Sequence, residues 1–249
     1  MLDINPPKPF YALGDHIAID LPGARAVFTT RRGGVSEPPY DSLNLGFVAG
    51  EAHAATSSNR ALLAEQLRVE LAYGRQVHGA QVRIVEGPTD PDEAPAEADG
   101  ITTAVHGVAP MVLTADCLPI AIGGGGAVAV VHAGWRGLAD GVIAVGVEAV
   151  RRLASPDAAI AAAIGPGAGV CCYEVSDDLH RRFAGLGLGL RRGQNLDLKA
   201  IAAAQLAAAG VQEVHTLPWC TICATGEVFF SHRREDGVTG RQAGLAWLT

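Results

Sequence analysis

Basic charge is in short supply: 19 Lys and Arg face 26 Asp and Glu, a net charge of −7. No broad positive field exists to grip a phosphate backbone, so polymeric nucleic acid is not an expected partner. Nor is there an apolar run of about 18 residues free of charge or glycine, and no basic region followed by an apolar stretch opens the chain. A cytoplasmic protein without membrane contact is the expectation. Cysteines are few and odd in number, 5, and Cys171 and Cys172 are adjacent. That is a poor basis for a secreted disulfide framework, and reduced thiols are expected. What the chain does have is 249 residues, 49% of them hydrophobic, enough for a large core. A single domain over 1–249 is the expected organisation.

Two apolar, β-branched runs, Met111 to Ile122 and Ala127 to His132, flank Gly123-Gly-Gly-Gly126 and predict a hairpin. With Gly124 and Gly125 as the loop, Cys117 pairs directly with His132 on one sheet face. Opposed side chains there, with Cβ atoms about 4.5 to 5.5 Å apart, can reach a common metal. His78, in Gln-Val-His-Gly, completes two imidazoles and one thiolate, a donor set that leaves a coordination position for water or substrate. Gly79 and Gly134 keep the backbone small beside both histidines. The plainer alternative is a buried apolar cysteine and two hydrogen-bonded structural histidines.

Around this hairpin, helical and extended patterns interleave. Arg25 to Thr30 reads as a strand. Ser57 or Ser58 caps a predicted helix from Asn59 to Leu71, with Leu62, Leu63 and Leu67 on one face. A strand is predicted over Gln76 to Glu86, then an acidic, proline-bearing loop over Gly87 to Glu97. Helices are predicted over Leu138 to Leu153 and Leu198 to Ala209, and strands over Ala158 to Ile164, Val214 to Leu217 and Val228 to Ser231, with a further segment over Gly237 to Gly244. The expected class is α/β or α+β, a mixed β-sheet sandwich flanked by helices.

Arg31 and Arg32, followed by Gly33-Gly34, offer guanidinium and amide donors to a small anion. Arg136 sits where a helix begins, with its positive dipole end. Asn44 either joins that ligand or closes a turn. Gly165-Pro-Gly-Ala-Gly169 lacks the lysine and hydroxyl of a nucleotide-binding loop and reads as a turn. Trp219-Cys-Thr-Ile-Cys223 resembles a redox motif, but Thr225-Gly226 and Val228-Phe-Phe230 leave no room for the helix that such chemistry needs. Cys171, Cys172, Cys220 and Cys223 are either core residues or a second metal cluster, with the core reading preferred.

Thr29 to Ser36, Leu43-Asn-Leu45, Gln76-Val-His-Gly79, Ala98-Asp-Gly100, Thr114 to Pro119, Val131 to Gly137, Tyr173-Glu-Val175, Phe230 to Glu235 and Gly240-Arg-Gln242 together resemble the YfiH-like family, also called the laccase-domain or polyphenol oxidase family. The resemblance covers nearly the whole chain. It implies a zinc-dependent purine nucleoside phosphorylase acting on adenosine, inosine, guanosine and S-methyl-5'-thioadenosine, with inorganic phosphate as co-substrate and with adenosine deaminase activity. It also implies that His78, Cys117 and His132 hold the zinc. Copper fits the same three donors in vitro, which leaves copper-dependent polyphenol oxidase activity at that site as an alternative, although 8 histidines are too few for a multicopper oxidase. Arg31, Arg32, Asn44 and Arg136 are the expected phosphate or ribose contacts, with Arg136 also expected to act in catalysis. For deamination, Asp116 is the candidate proton shuttle, although strand alternation would turn it away from Cys117 unless a bulge intervenes.

Two other readings use the same residues. Cys117 as nucleophile with His132 as base would make a hydrolase or amidase acting on a small amide or a peptidoglycan precursor. A metal-binding or partner-binding module without catalysis is the third. Neither the oligomeric state nor the preferred nucleoside follows from the residues.

Overall fold

The computed structural model describes residues 5–187, 190–224 and 226–249. Thr225, from the expected Thr225-Gly226 turn, lies outside them. Along the chain run β1 (Tyr11–Leu13), β2 (His16–Leu21), β3 (Ala24–Phe28), α1 (His53–Leu67), β4 (Glu70–Ala72), β5 (Val82–Ile84), β6 (Gly100–Thr103) and β7 (Val108–Thr114). Then follow β8 (Leu118–Gly124), β9 (Ala127–Ala133), α2 (Trp135–Ala139), α3 (Val142–Leu153), β10 (Ala161–Ile164), α4 (Asp177–Gly185), β11 (Arg191–Arg192), β12 (Asn195–Leu196), α5 (Leu198–Ala208), β13 (Glu213–Thr216) and β14 (Gln242–Leu248).

Two six-stranded mixed sheets carry the fold, in the orders β1-β2-β3-β14-β7-β4 and β13-β10-β8-β9-β6-β5. Phe28, Val112 and Ala246 of the first sheet pack on Ala121, Val128, Val130 and Ala161 of the second. The outer face of the second sheet, with Ile120, Ile122 and Val131, is covered by Val142, Ile143 and Val150 of α3 and Ile201 and Leu206 of α5. Strands β8 and β9 are therefore buried on both faces and, apart from His132, apolar, which is why they read as continuous runs rather than alternating ones. On the outer face of the first sheet, Leu63 of α1 joins Met111 and Leu245. The expected mixed sandwich with flanking helices is thus what forms.

Several boundaries differ from expectation. The hairpin turns on Gly125 and Gly126, both at positive φ (63° and 83°), as a two-residue primed turn requires. Gly124 stays in β8 opposite Ala127, so Pro119, not Cys117, pairs with His132. The register moves by two residues, which leaves Cys117 on the expected side. Helix α1 starts at His53 with no side-chain cap, and Ser57 and Ser58 lie within it. Its inward face carries Thr56 and Asn59, whose polar contacts hide the apolar period, while Leu62 is 42% exposed. Gly141, at φ +86°, breaks the expected long helix into α2 and α3. His78 sits at φ +60° in a loop, which shortens the expected Gln76 to Glu86 strand to Val82–Ile84. Val228 to Ser231 forms no strand, because the Gln242 side chain takes over the pairing: its Oε1 accepts from Phe230 N–H and its Nε2 donates to Phe230 O. Of the four cysteines expected in the core, only Cys220 is buried: Cys171 and Cys223 are exposed and Cys172 is half-buried.

Candidate metal and anion site

Cys117 occupies the crossing from β7 in one sheet to β8 in the other, just after Asp116, which adopts φ +90°. His132 projects from β9, and the loop before β5 brings in His78. One donor atom from each lies within 4.8 Å of the others, and the two imidazoles meet edge to face with centroids 4.7 Å apart. Gly134 makes the convergence possible, because a Cβ there would sit 2.9 Å from Cys117 Sγ and 3.3 Å from His78 Cδ2.

Asp99, fully buried, organises two of these ligands. Its carboxylate accepts from the backbone N–H groups of Val77 (3.1 Å), His78 (2.9 Å) and Gly79 (2.7 Å). It also lies 2.8 Å from His132 Nδ1, which leaves Nε2 for the Cys117 side. An acidic residue on the outer nitrogen of a ligating histidine fixes its tautomer and strengthens it as a donor. Three donors with that support could hold a metal ion, and among the described residues no fourth His, Cys, Asp or Glu joins the group.

Burial by itself would raise the Cys117 thiol, but the charge and hydrogen bond of His132, with help from His78, outweigh it and bring it down to about 6. Burial likewise opposes protonation of His132, yet the Cys117 thiolate and Asp99 lift it to about 9. Without metal the two form a thiolate and imidazolium pair.

The ligands line a cavity of about 770 Å³ whose wall includes Arg60, Tyr73, Asp116, Tyr173, Arg233 and Arg241. This volume is typical of small-molecule sites. The Arg60 guanidinium lies 4.5 Å over Phe47 and 4.4 Å over Tyr73, donates from Nε to Leu45 O, and has a buried nitrogen, Nη1, with no hydrogen-bond partner among the described residues. Thr114, also on the wall, has a buried unpartnered hydroxyl. Burial lowers both Arg60 and Arg241 from the usual arginine value. Burial holds Tyr173 protonated, up to about 12.

The residues expected to bind phosphate sit elsewhere. Arg31 is buried with its guanidinium committed to Asp41, Gly226 O and Glu235. Arg32 turns to Glu227. Asn44 is fully buried, bonded to Gly46, Glu51 and the Arg241 N–H. It thereby fixes the two cavity residues Gly46 and Arg241 rather than lining the cavity. Arg136 lies over the Trp135 ring at 4.3 Å. Asp116 does line the cavity, because the tight turn, not a strand, sets its direction. Its oxygens accept from the Thr221 hydroxyl at 2.6 Å and the Arg233 N–H at 2.8 Å. Asp99, Arg60 and Arg241 were missed as functional residues. Asp99 and Arg241 did stand inside the Ala98-Asp-Gly100 and Gly240-Arg-Gln242 motifs, and the glycine flanking each was the available signal.

Residues 25–249 match the family model described as multi-copper polyphenol oxidoreductase laccase. A Streptomyces griseus protein named purine nucleoside phosphorylase is 39% identical over 235 residues, covering 90% of this chain and 94% of its own. One of the same name from Pseudomonas aeruginosa is 38% identical over 90% of this chain and 93% of its own. Among solved structures, YlmD of Geobacillus stearothermophilus is 32% identical with a TM-score of 0.86 over 97% of this chain and 99% of that one. YfiH of Bacillus licheniformis is 31% identical at 0.85, over 98% and 100%.

Proposed function

Because the chain belongs to the multi-copper polyphenol oxidoreductase laccase family, in which similar proteins carry the name purine nucleoside phosphorylase, we propose that it is a zinc-dependent enzyme of that activity. Its substrates on this reading are adenosine, inosine, guanosine and S-methyl-5'-thioadenosine with inorganic phosphate, and it also deaminates adenosine. The observation that carries the reading is a single cavity holding His78, Cys117 and His132 on one side and the incompletely paired Arg60 guanidinium on another.

In phosphorolysis a phosphate oxygen bonds to C1′ as the N-glycosidic bond breaks, and the purine leaves with the bonding electrons. Arg60, Arg233 and Arg241 hold and orient the phosphate, in place of Arg31, Arg32, Asn44 and Arg136. Charge-assisted donors in a cavity shielded from water are strong. Tyr173, kept protonated, offers a donor to the departing purine. When bound by the two histidines and the cysteine, zinc supplies Lewis acidity at the substrate, and copper competes for the same donors in vitro. Asp116 positions the turn and the Arg233 backbone. If Asp116→Asn loses deaminase turnover while phosphorolysis persists, it is instead the proton shuttle.

Purine release from each nucleoside by zinc-loaded protein, with and without phosphate, tests the reading. Phosphate-dependent release that disappears in His78→Ala supports it, and no turnover in fully loaded protein ends it. One observation favours a second reading: Asp99, His132 and Cys117 are also arranged as acid, base and lowered thiol, the parts of a cysteine amidase. Metal-free protein that cleaves small amides, and stops in Cys117→Ser, would establish that instead.

A further inference from the structure

Four of the five cysteines take no part in this site, yet two loops bring them together. Cys171 and Cys172 follow the Gly165 to Gly169 turn, and Cys220 and Cys223 belong to the turn after β13. Their sulfurs all lie within 4.8 Å of one another, with Cys171 Sγ 3.6 Å from Cys223 Sγ and 3.5 Å from Cys172 Sγ. A disulfide needs about 2.05 Å, and all four thiols are free. Sulfurs about 2.3 Å from a tetrahedral zinc are about 3.8 Å apart, close to the separations found.

The surroundings point the same way. Gly169 N–H donates to Cys220 Sγ at 3.2 Å, and the N–H groups of Ile222 and Cys223 also bond to that sulfur. Backbone donors of this kind favour a thiolate. Gly169 is required to be bare, since a Cβ there would lie 3.2 Å from Cys171 Sγ and 3.3 Å from Cys220 Sγ. Lys199, buried, anchors its ammonium on Leu217 O and Trp219 O at 2.7 Å each, beside the cluster. Four thiolates around a divalent ion leave two negative charges, which that cation offsets.

We propose that Cys171, Cys172, Cys220 and Cys223 form a second, closed metal site that takes one zinc ion, or cobalt or cadmium in its place, and clamps the two loops together. Thiol protons are released to solvent as the ion binds. The clamp braces the catalytic turn: Thr221, between two of its ligands, donates from its hydroxyl to Asp116 and from its N–H to Gly167 O, and Ala168 N–H reaches Asp116 O at 2.7 Å.

Cobalt(II) titrated into reduced, metal-free protein provides the test, with ions per chain counted by elemental analysis and thiolate ligation read from charge-transfer absorption. The expected result is two ions per chain, one for each ligand group. Cys171→Ser with Cys223→Ser should bind one and lose most of the charge-transfer band. Both side chains are exposed, so the change empties no core volume. His78→Ala should also bind one while keeping that band, which separates this site from the other. A single ion that is retained in the cysteine variant and lost in His78→Ala overturns the proposal. So does a disulfide among these cysteines in the purified protein, seen as the loss of two hydrogens from the intact mass.

Discussion

Replacing Asp99 by Asn isolates the charge that organises the His78 loop and His132. The shape is kept, but the four donors now meet one amide oxygen and one NH2 group. If the oxygen stays with His78 N–H and His132 Nδ1, the NH2 faces the N–H groups of Val77 and Gly79, which both bonded to Oδ2. Two part-buried donors are left without their acceptor, and full shielding from water would make that cost about 1 to 3 kcal/mol each. With water able to reach them in part, metal-free protein should lose about 1 to 3 kcal/mol in total in urea unfolding. Zinc affinity, measured by competition with a chromophoric chelator, should fall roughly 10- to 100-fold, as for other carboxylates behind a ligating histidine. Unchanged zinc affinity together with unchanged stability would refute the role assigned to Asp99.

Gly134→Ala places a methyl 2.9 Å from Cys117 Sγ, so zinc affinity should drop by at least roughly 10-fold with the fold intact by circular dichroism. In metal-free protein the rate of Cys117 alkylation should rise with pH through a midpoint of about 6 and shift toward 9 in His132→Ala, where the lowering partner is gone. The lowered thiol adds stability as pH rises from about 6 to 9, while the raised imidazole adds stability that is complete below 6.5 and lost as pH passes about 9. Between about 6.5 and 9 the native and unfolded pairs each hold one proton, so the two contributions offset and thermal unfolding of metal-free protein should be nearly independent of pH across that window. Arg60→Gln should raise the KM for phosphate roughly 10-fold or more, as loss of a charge-assisted bond implies, whereas Arg32→Gln, turned to Glu227, should leave it unchanged.

The sandwich was readable because β8 and β9, covered on both sides, are apolar apart from His132, and because a glycine run marks the turn between them. Cys117 and His132 stood out against that background, even though the turn lay one residue later than expected. Helix α1 was harder to place: its buried Thr56 bonds Glu51 and its buried Asn59 holds the loop around Ser36 and Ser42, so hydrophobic spacing says little about where it starts. Asp99 looks ordinary in sequence, since its importance arises from partners 20 to 33 residues away. The arginines near Gly33 drew attention by clustering, but burial and existing ion pairs decide which guanidinium is available, and these emerge only in three dimensions.

Cys117 belongs to the segment that steps from one layer of the sandwich to the other. Its imidazole partners reside on the second layer and on a loop that closes over it. The three donors come together only once the β8–β9 hairpin has formed and the loop before β5 lies against it, so the site is a product of the fold rather than a seed for it.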